Sequence, residues 1–179
     1  KLIRFDKAQG SLYFDLDYFK FYVWHPRRYS EDFVRLFGPE RHYGGDLDER
    51  HMNIAASFQR RVEDVVLEMC TYLHEKTGQK NLCLAGGVTM NSAMNGRIQA
   101  ESPFDNLWIQ PSADDAGASL GACYYYWNQV LGNERTFTME HDYWGPGFSD
   151  DEIKQALDDA LVEYEYLDDV ERVAAQAIA

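Results

Sequence analysis

Residues 81–121 read NLCLAGGVTMNSAMNGRIQAESPFDNLWIQPSADDAGASLG, and two apolar runs inside this stretch each deliver the backbone into a small, polar turn. Leu82-Cys83-Leu84-Ala85 has the length and apolarity of a buried strand; Gly86-Gly87 leaves its tip bare, and Met90 and Asn91 begin a helix. Leu107-Trp108-Ile109 is the second strand, and it ends at Pro111. Ser112-Ala113-Asp114-Asp115-Ala116-Gly117 then starts another helix whose first turn carries two carboxylates. A strand, a turn and a helix, twice over, predict an α/β fold with both turns at strand C-terminal ends, where open α/β sheets place their ligands.

Upstream, residues 48–77 form the longest periodic stretch, with Ile54, Phe58, Val62, Val65, Val66, Met69 and Leu73 at three- and four-residue steps and Gly78 as the stop. Such a helix would be roughly 40 Å long at 1.5 Å per residue. Residues 12–24, LYFDLDYFKFYVW, are aromatic and partly alternating, which predicts one long strand or a tight pair whose phase slips near Asp17. Between them, residues 25–46 contain Pro26, Gly38, Pro39, Gly44 and Gly45 and read as a loop holding one short helix over 31–36. Downstream, the small residues of Ala116-Gly117-Ala118-Ser119-Leu120-Gly121-Ala122 let a helix backbone approach a neighbour or a ligand closely. After a loop at Tyr143-Trp144-Gly145-Pro146-Gly147, Ser149 and Glu152 have capping-box spacing for a helix through Ile153, Leu157 and Leu161. A short strand over 163–167 and a last helix from about 169 complete this tail, which reads as a separate small unit or as the start of a further domain.

Seventeen basic residues against thirty acidic ones give a formal charge of −13, which opposes attraction to nucleic-acid backbones and anionic membranes. A hydrophobic fraction of 45% with 15% aromatic residues is far from a disordered composition. No apolar run reaches membrane-spanning length and no signal-peptide pattern opens the chain, so the expected location is the cytoplasm. Self-association is left open. Cys70, Cys83 and Cys123 show no metal-ligand spacing and each lies in an apolar segment, predicting reduced, packed thiols. Lys1 in place of an initiating methionine and a final run, VAAQAIA, that stops in mid-helix read as an internal piece of a longer polypeptide.

Gly86 and Gly87 remove two adjacent side chains, so that a flat or charged ligand can approach the main chain and the amides of the following helix start. Close strand–helix packing would require the same residues. Asn91 and Asn95, four apart, either reach back toward a ligand or are solvated helix residues. Asp114 and Asp115 are candidates for metal or acid–base work at a helix start, although one of them serves equally well as an N-cap. Spacing does not choose between them. His51, at the start of the long helix, is a candidate ligand or base, but it has no HxxxH partner and fits a cap residue as well. The Tyr124-Tyr125-Tyr126-Trp127 run lies within a helix and reads as packing with exposed ring edges.

The order HMNIAASFQ from His51, then LCLAGGVTMN with Asn95-Gly96, then IQPSADDAGASLGA resembles the carbamoyltransferase family that includes antibiotic and nodulation-factor O-carbamoyltransferases. It covers residues 48–122 well and the flanks more loosely. The resemblance implies the second half of an actin-, Hsp70- and sugar-kinase-like (ribonuclease H-like) ATPase fold, with a mixed sheet and helices on both faces. On that basis residues 1–147 are the second half of an adenylate-binding domain, and 148–179 are a linker and the start of a YrdC-like domain. The implied chemistry joins ATP and carbamoyl phosphate into carbamoyladenylate and passes the carbamoyl group to a hydroxyl of a small-molecule acceptor. By motif position Gly86, Gly87, Val88 and Asn91 would line the adenylate, and Asp115 would bind a divalent metal, iron(II) or another. Family members often carry a small residue where Asp114 stands. The family's histidine ligands and its GPRALGNRS-type motif are absent here, so the piece alone is not expected to turn over. The alternatives are a nucleotide-binding, sugar-kinase-like protein of the same superfamily and a non-catalytic interaction module.

Overall fold

The computed structural model describes residues 2–22 and 27–179, and its backbone falls into two compact units, Lys1–His141 and Asp142–Ala179. The first is organised by one helix. Asp48 accepts a hydrogen bond from the His51 N–H at 2.9 Å and starts α2, Glu49–Thr77, which Gly78 ends in a left-handed conformation at φ 62°. Twenty-nine residues make it about 44 Å long.

Strands β3, Asn81–Leu84, and β4, Asn106–Ile109, follow α2 and lie parallel, with Leu82 opposite Leu107 and Leu84 opposite Ile109. Helix α3, Ser92–Glu101, crosses between them, making a strand–helix–strand unit. The core is built where the two helices meet one face of the strand pair: Val62, Val66 and Cys70 of α2, Leu82 and Leu84 of β3, Met94 and Ile98 of α3, and Phe104 and Leu107. Ile98 is wholly buried. The period of two in β3 turns Leu82 inward and Cys83 outward. Cys83 is therefore exposed; Cys123, in a later helical segment, is exposed as well, and Cys70 alone is packed, a correction to the expectation of three buried thiols.

On the amino-terminal side, β1, Ile3–Asp6, and β2, Ser11–Phe14, form an antiparallel hairpin. The Arg61 Nε of α2 donates to the Ile3 carbonyl at 2.8 Å. Helix α1, Glu31–Phe37, is capped by Ser30, and its Phe33 and Phe37 join Phe19 against Phe58 of α2. The expected strand over 12–24 stops at Phe14, because the Asp15 carbonyl and carboxylate draw the next residues into a turn: Tyr18 and Phe19 donate to its carbonyl and Asp17 to its side chain. That is where the twofold phase slips. Val23 and Trp24 of that expectation, and His25 and Pro26 of the loop, lie outside the described residues.

The fold is mixed α/β, but its antiparallel and parallel pairs are two separate two-stranded sheets among the described residues, where one mixed sheet was expected. The second unit contains α5, Asp150–Asp159, and α6, Val170–Ile178. The Ser149–Glu152 capping box is present in full. The helix ends before Leu161, which has φ 54° and is 91% exposed, and residues 163–167 are not a strand. Without a partner strand among the described residues, the alternation of Tyr and Glu there has no hydrogen-bonded ladder to join. No helix among the described residues is long and apolar enough to cross a membrane.

Candidate functional site

Both strand-end turns form, and they touch. Past Leu84 the parallel ladder continues through the Gln110 N–H, which donates to the Leu84 carbonyl at 3.1 Å; the Gly86 N–H then donates to the Ala113 carbonyl at 2.6 Å. The diglycine and the turn that carries Asp114 and Asp115 are thus joined main chain to main chain at the C-terminal ends of neighbouring strands.

The first turn is a short 3₁₀ segment, Gly87–Met90, entered through Gly86 at φ 107°, a value that only glycine adopts without strain. Thr89 is buried beneath it, its N–H and hydroxyl both donating to the Gly86 carbonyl at 2.9 and 2.7 Å. A Cβ added at Gly86 or Gly87 would have no atom within 4 Å. Close strand–helix packing therefore does not account for the pair. Val88 and Met90 are 61% and 64% exposed, so the turn presents its main chain and these two side chains to open space.

Asn91 sits between the turn and α3 as the helix N-cap, its Oδ1 accepting from the Met94 N–H at 3.1 Å. The same side chain forms a reciprocal pair with Gln59 of α2: Gln59 Nε2 donates to Asn91 Oδ1 at 3.0 Å, and Asn91 Nδ2 donates to Gln59 Oε1 at 2.8 Å. Asn95 donates from Nδ2 to the Thr89 carbonyl at 2.7 Å, while its Oδ1 is buried and has no partner. Neither asparagine is a solvated helix residue.

Behind Gln59 lies an ionic cluster. Gln59 Nε2 also donates to Glu63 Oε1 at 2.7 Å, and Arg97 of α3 reaches Glu63 and Asp64, both at 2.9 Å, and Glu101 at 2.8 Å. Hydrogen bonds from Gln59 first, then from Arg97, hold the Glu63 carboxyl below its ordinary range, and Arg97 does the same for Asp64 and Glu101. Glu63 is only 7% exposed, and it stays ionised because its charge is fully partnered.

The second turn closes on itself. Asp114 is the N-cap, accepting from the Ala116 N–H at 3.1 Å, and a 3₁₀ segment Asp115–Gly117 leads into α4, Ala118–Tyr124. Gly117 fits against the Ser112 carbonyl oxygen so closely that a Cβ would collide with it. Asp115 is exposed and its carboxylate has no hydrogen-bond or ion-pair partner among the described residues. The open question of the two aspartates thus has an answer for one of them: Asp114 caps, and Asp115 is free.

Among the described residues no three His, Cys, Asp or Glu side chains come together as a metal site. The donor set fits a metal only as a shared ligand, with one carboxylate from this chain. His51 lies against its neighbours, with Arg50 Nη2 2.8 Å from its Nε2 and Asp48 Oδ1 2.6 Å from its Nδ1, although that buried Nδ1 makes no hydrogen bond among the described residues. Arg50 can only donate, so the Nε2 lone pair is spent on it. A cavity of about 740 Å³ lies against the first half of α2, between Ile3, Phe37, Ile54 and Phe58, and no residue of either turn lines it. The aromatic run after α4 is a π-helical segment, Tyr125–Val130, whose Tyr125, Tyr126 and Trp127 are more than half exposed, well beyond ring edges.

Adjoining turns at the carboxyl ends of two parallel strands form the arrangement at which open α/β sheets place their ligands. The comparisons with known proteins narrow this: the model of the carbamoyltransferase N-terminus matches residues 9–124, and the chain belongs to the carbamoyltransferase family. Over 170 residues it is 41% identical to the uncharacterized protein sll1178 of Synechocystis, covering 91% of this chain and 28% of that protein. It is 34% identical to the nodulation protein NolNO of Sinorhizobium fredii over 142 residues, covering 78% of this chain and 21% of the relative. A tRNA N6-adenosine threonylcarbamoyltransferase of Lactococcus lactis is 34% identical over 105 residues, or 56% of this chain and 31% of the relative. The chain thus spans less than a third of the length of these relatives.

Proposed function

We propose that this chain forms the adenylate-binding part of an ATP-dependent carbamoyltransferase, within an actin- and sugar-kinase-like ATPase fold. The observation that carries the proposal is the Gly86 N–H to Ala113 carbonyl hydrogen bond of 2.6 Å, which puts the bare diglycine and the free Asp115 on adjoining turns. A nucleotide held there would meet the main chain of Gly86 and Gly87, the side chain of Val88, and the one Asn91 Nδ2 hydrogen not donated to Gln59. Asp115 would supply one oxygen ligand to a divalent metal, iron(II) or another, which provides Lewis-acid charge for phosphate or carbonyl oxygen.

In the proposed reaction, carbamoyl phosphate gives up its phosphate with one water consumed. The carbamate oxygen bonds to the α-phosphorus of ATP, and the α–β anhydride breaks to release pyrophosphate. The acceptor hydroxyl then attacks the carbamoyl carbon, its proton leaves, and AMP departs. A small-molecule hydroxyl fits as acceptor better than tRNA, because thirty acidic against seventeen basic residues repel a phosphate backbone.

The test uses the full-length protein with ATP and carbamoyl phosphate. Carbamoyl phosphate-dependent pyrophosphate release is expected, falling at least tenfold in Asp115→Ala. A folded full-length protein that releases no pyrophosphate with any of a panel of hydroxyl acceptors would refute the proposal.

A further inference from the structure

We propose that Gln59, a residue of α2 outside both turns, is the positioning residue for the nucleotide turn: Glu63 orients its carboxamide, which in turn orients Asn91. The inference rests on the nucleotide reading of the site for its functional half and on geometry alone for its structural half.

A carboxamide is nearly symmetric in shape, so which end is oxygen and which is nitrogen depends on its partners. Here two independent partners demand the same arrangement. Glu63 is an ionised carboxylate that can only accept, so the Gln59 end facing it at 2.7 Å must be Nε2. The other end of Gln59 is then Oε1, which requires a donor, and Asn91 Nδ2 supplies it at 2.8 Å. From the far side, the Met94 N–H can only donate, so it requires Asn91 Oδ1. The Gln59 Nε2 to Asn91 Oδ1 bond of 3.0 Å closes the ring.

Counting donors and acceptors shows what is left over. Gln59 Nε2 spends both hydrogens, on Glu63 and Asn91. Asn91 Oδ1 spends both lone pairs, on Met94 and Gln59. Among the described residues one Nδ2 hydrogen of Asn91 remains unspent, and its direction is fixed because neither amide can flip. Arg97 completes the chain by keeping Glu63 charged at 2.9 Å. The Asn91 side chain that ends the diglycine turn is thus set by residues on two helices, α2 and α3, and Gln59 is where they meet it.

The experiment compares the full-length protein with Gln59→Leu, with Gln59→Glu, and with Gln59→Glu combined with Glu63→Gln. Ile98→Val serves as a packing control in the same core that touches none of these amides. Two readouts are taken: amide hydrogen exchange over residues 88–94, and the dissociation constant for ATP. In Gln59→Leu exchange should accelerate at least tenfold and ATP should bind at least tenfold more weakly. The double variant lets position 63 donate to a carboxylate at 59 but still leaves Asn91 Oδ1 without its donor from position 59, so it should recover at most part of each loss relative to Gln59→Glu alone. Ile98→Val should stay within twofold on each.

Unchanged exchange in Gln59→Leu and Gln59→Glu overturns the inference whatever ATP does. Faster exchange with unchanged ATP affinity overturns its functional half and leaves the nucleotide site in place. Faster exchange in the variants, together with a wild-type protein that binds no ATP, supports the structural half and removes the nucleotide reading itself.

Discussion

The two strand-end turns are adjacent and share the Gly86 N–H to Ala113 carbonyl hydrogen bond, yet beyond that bond they are held in different ways. The first, around Gly86 and Gly87, has open space beside both glycines and is fastened from outside, through Asn91 to Gln59 and from there to Glu63 and Arg97. The second, around Asp114 and Asp115, is fastened within itself, by the Asp114 side chain that caps Ala116 and by Gly117 pressed on the Ser112 carbonyl. A turn supported from behind can leave its front bare for a ligand; a turn closed on itself can leave one side chain, Asp115, unspent.

That contrast predicts different responses to the same substitution. Gly117→Ala places a methyl group against a backbone oxygen that has no rotamer to yield, and should cost about 3 kcal/mol or more of stability. Gly87→Ala meets nothing and lies in a helical turn, so its stability should change by less than about 1 kcal/mol, while ATP affinity of the full-length protein falls at least tenfold. Denaturant midpoints and ATP titrations read the pair. Equal stability losses at both glycines would erase the distinction.

Acid should sharpen it further, with a smaller effect. The Glu63, Asp64 and Glu101 carboxyls titrate below their ordinary values of 4.5, 3.8 and 4.5 when folded. Their contribution is therefore complete above those ordinary values and is lost as pH falls through the lowered ones. Protonating Glu63 also lets it donate, so Gln59 is no longer forced into one orientation. As pH falls below the ordinary carboxylate values, amide exchange over residues 88–94, corrected for the intrinsic rate, should accelerate before that over residues 113–117 does. Simultaneous loosening of both turns would contradict the separate supports.

Much of this is legible in the sequence because it is local. Asp48 and Gly78 bracket α2, Ser149 and Glu152 form their box, and both apolar runs become strands whose tips carry the turns. Each of those features is decided within a few residues. The remainder is set by partners far along the chain. Gln59 and Asn91 are 32 residues apart, and nothing in the spacing of either suggests an amide pair. The split into two sheets depends on which strand meets which, and the failure of 163–167 to form a strand depends on a partner that the alternation pattern does not contain. Cys83 departs from expectation for a simpler reason: its apolar run suggests burial on both faces, although β3 buries only one. Of the site residues, Gly86 and Gly87 show their availability in the structure, and the division of labour between Asp114 and Asp115 rests on a hydrogen bond to Ala116 that spacing leaves undetermined.

The most direct test of a shared nucleotide site is a crystal structure of the full-length protein with a non-hydrolysable ATP analogue and carbamoyl phosphate. One nucleotide is expected in contact with the Gly86–Gly87 main chain, with the Asp115 carboxylate reaching its phosphates through one metal ion. A nucleotide bound elsewhere, for instance in the cavity between Phe37 and Phe58, with both turns bare, would contradict the shared site.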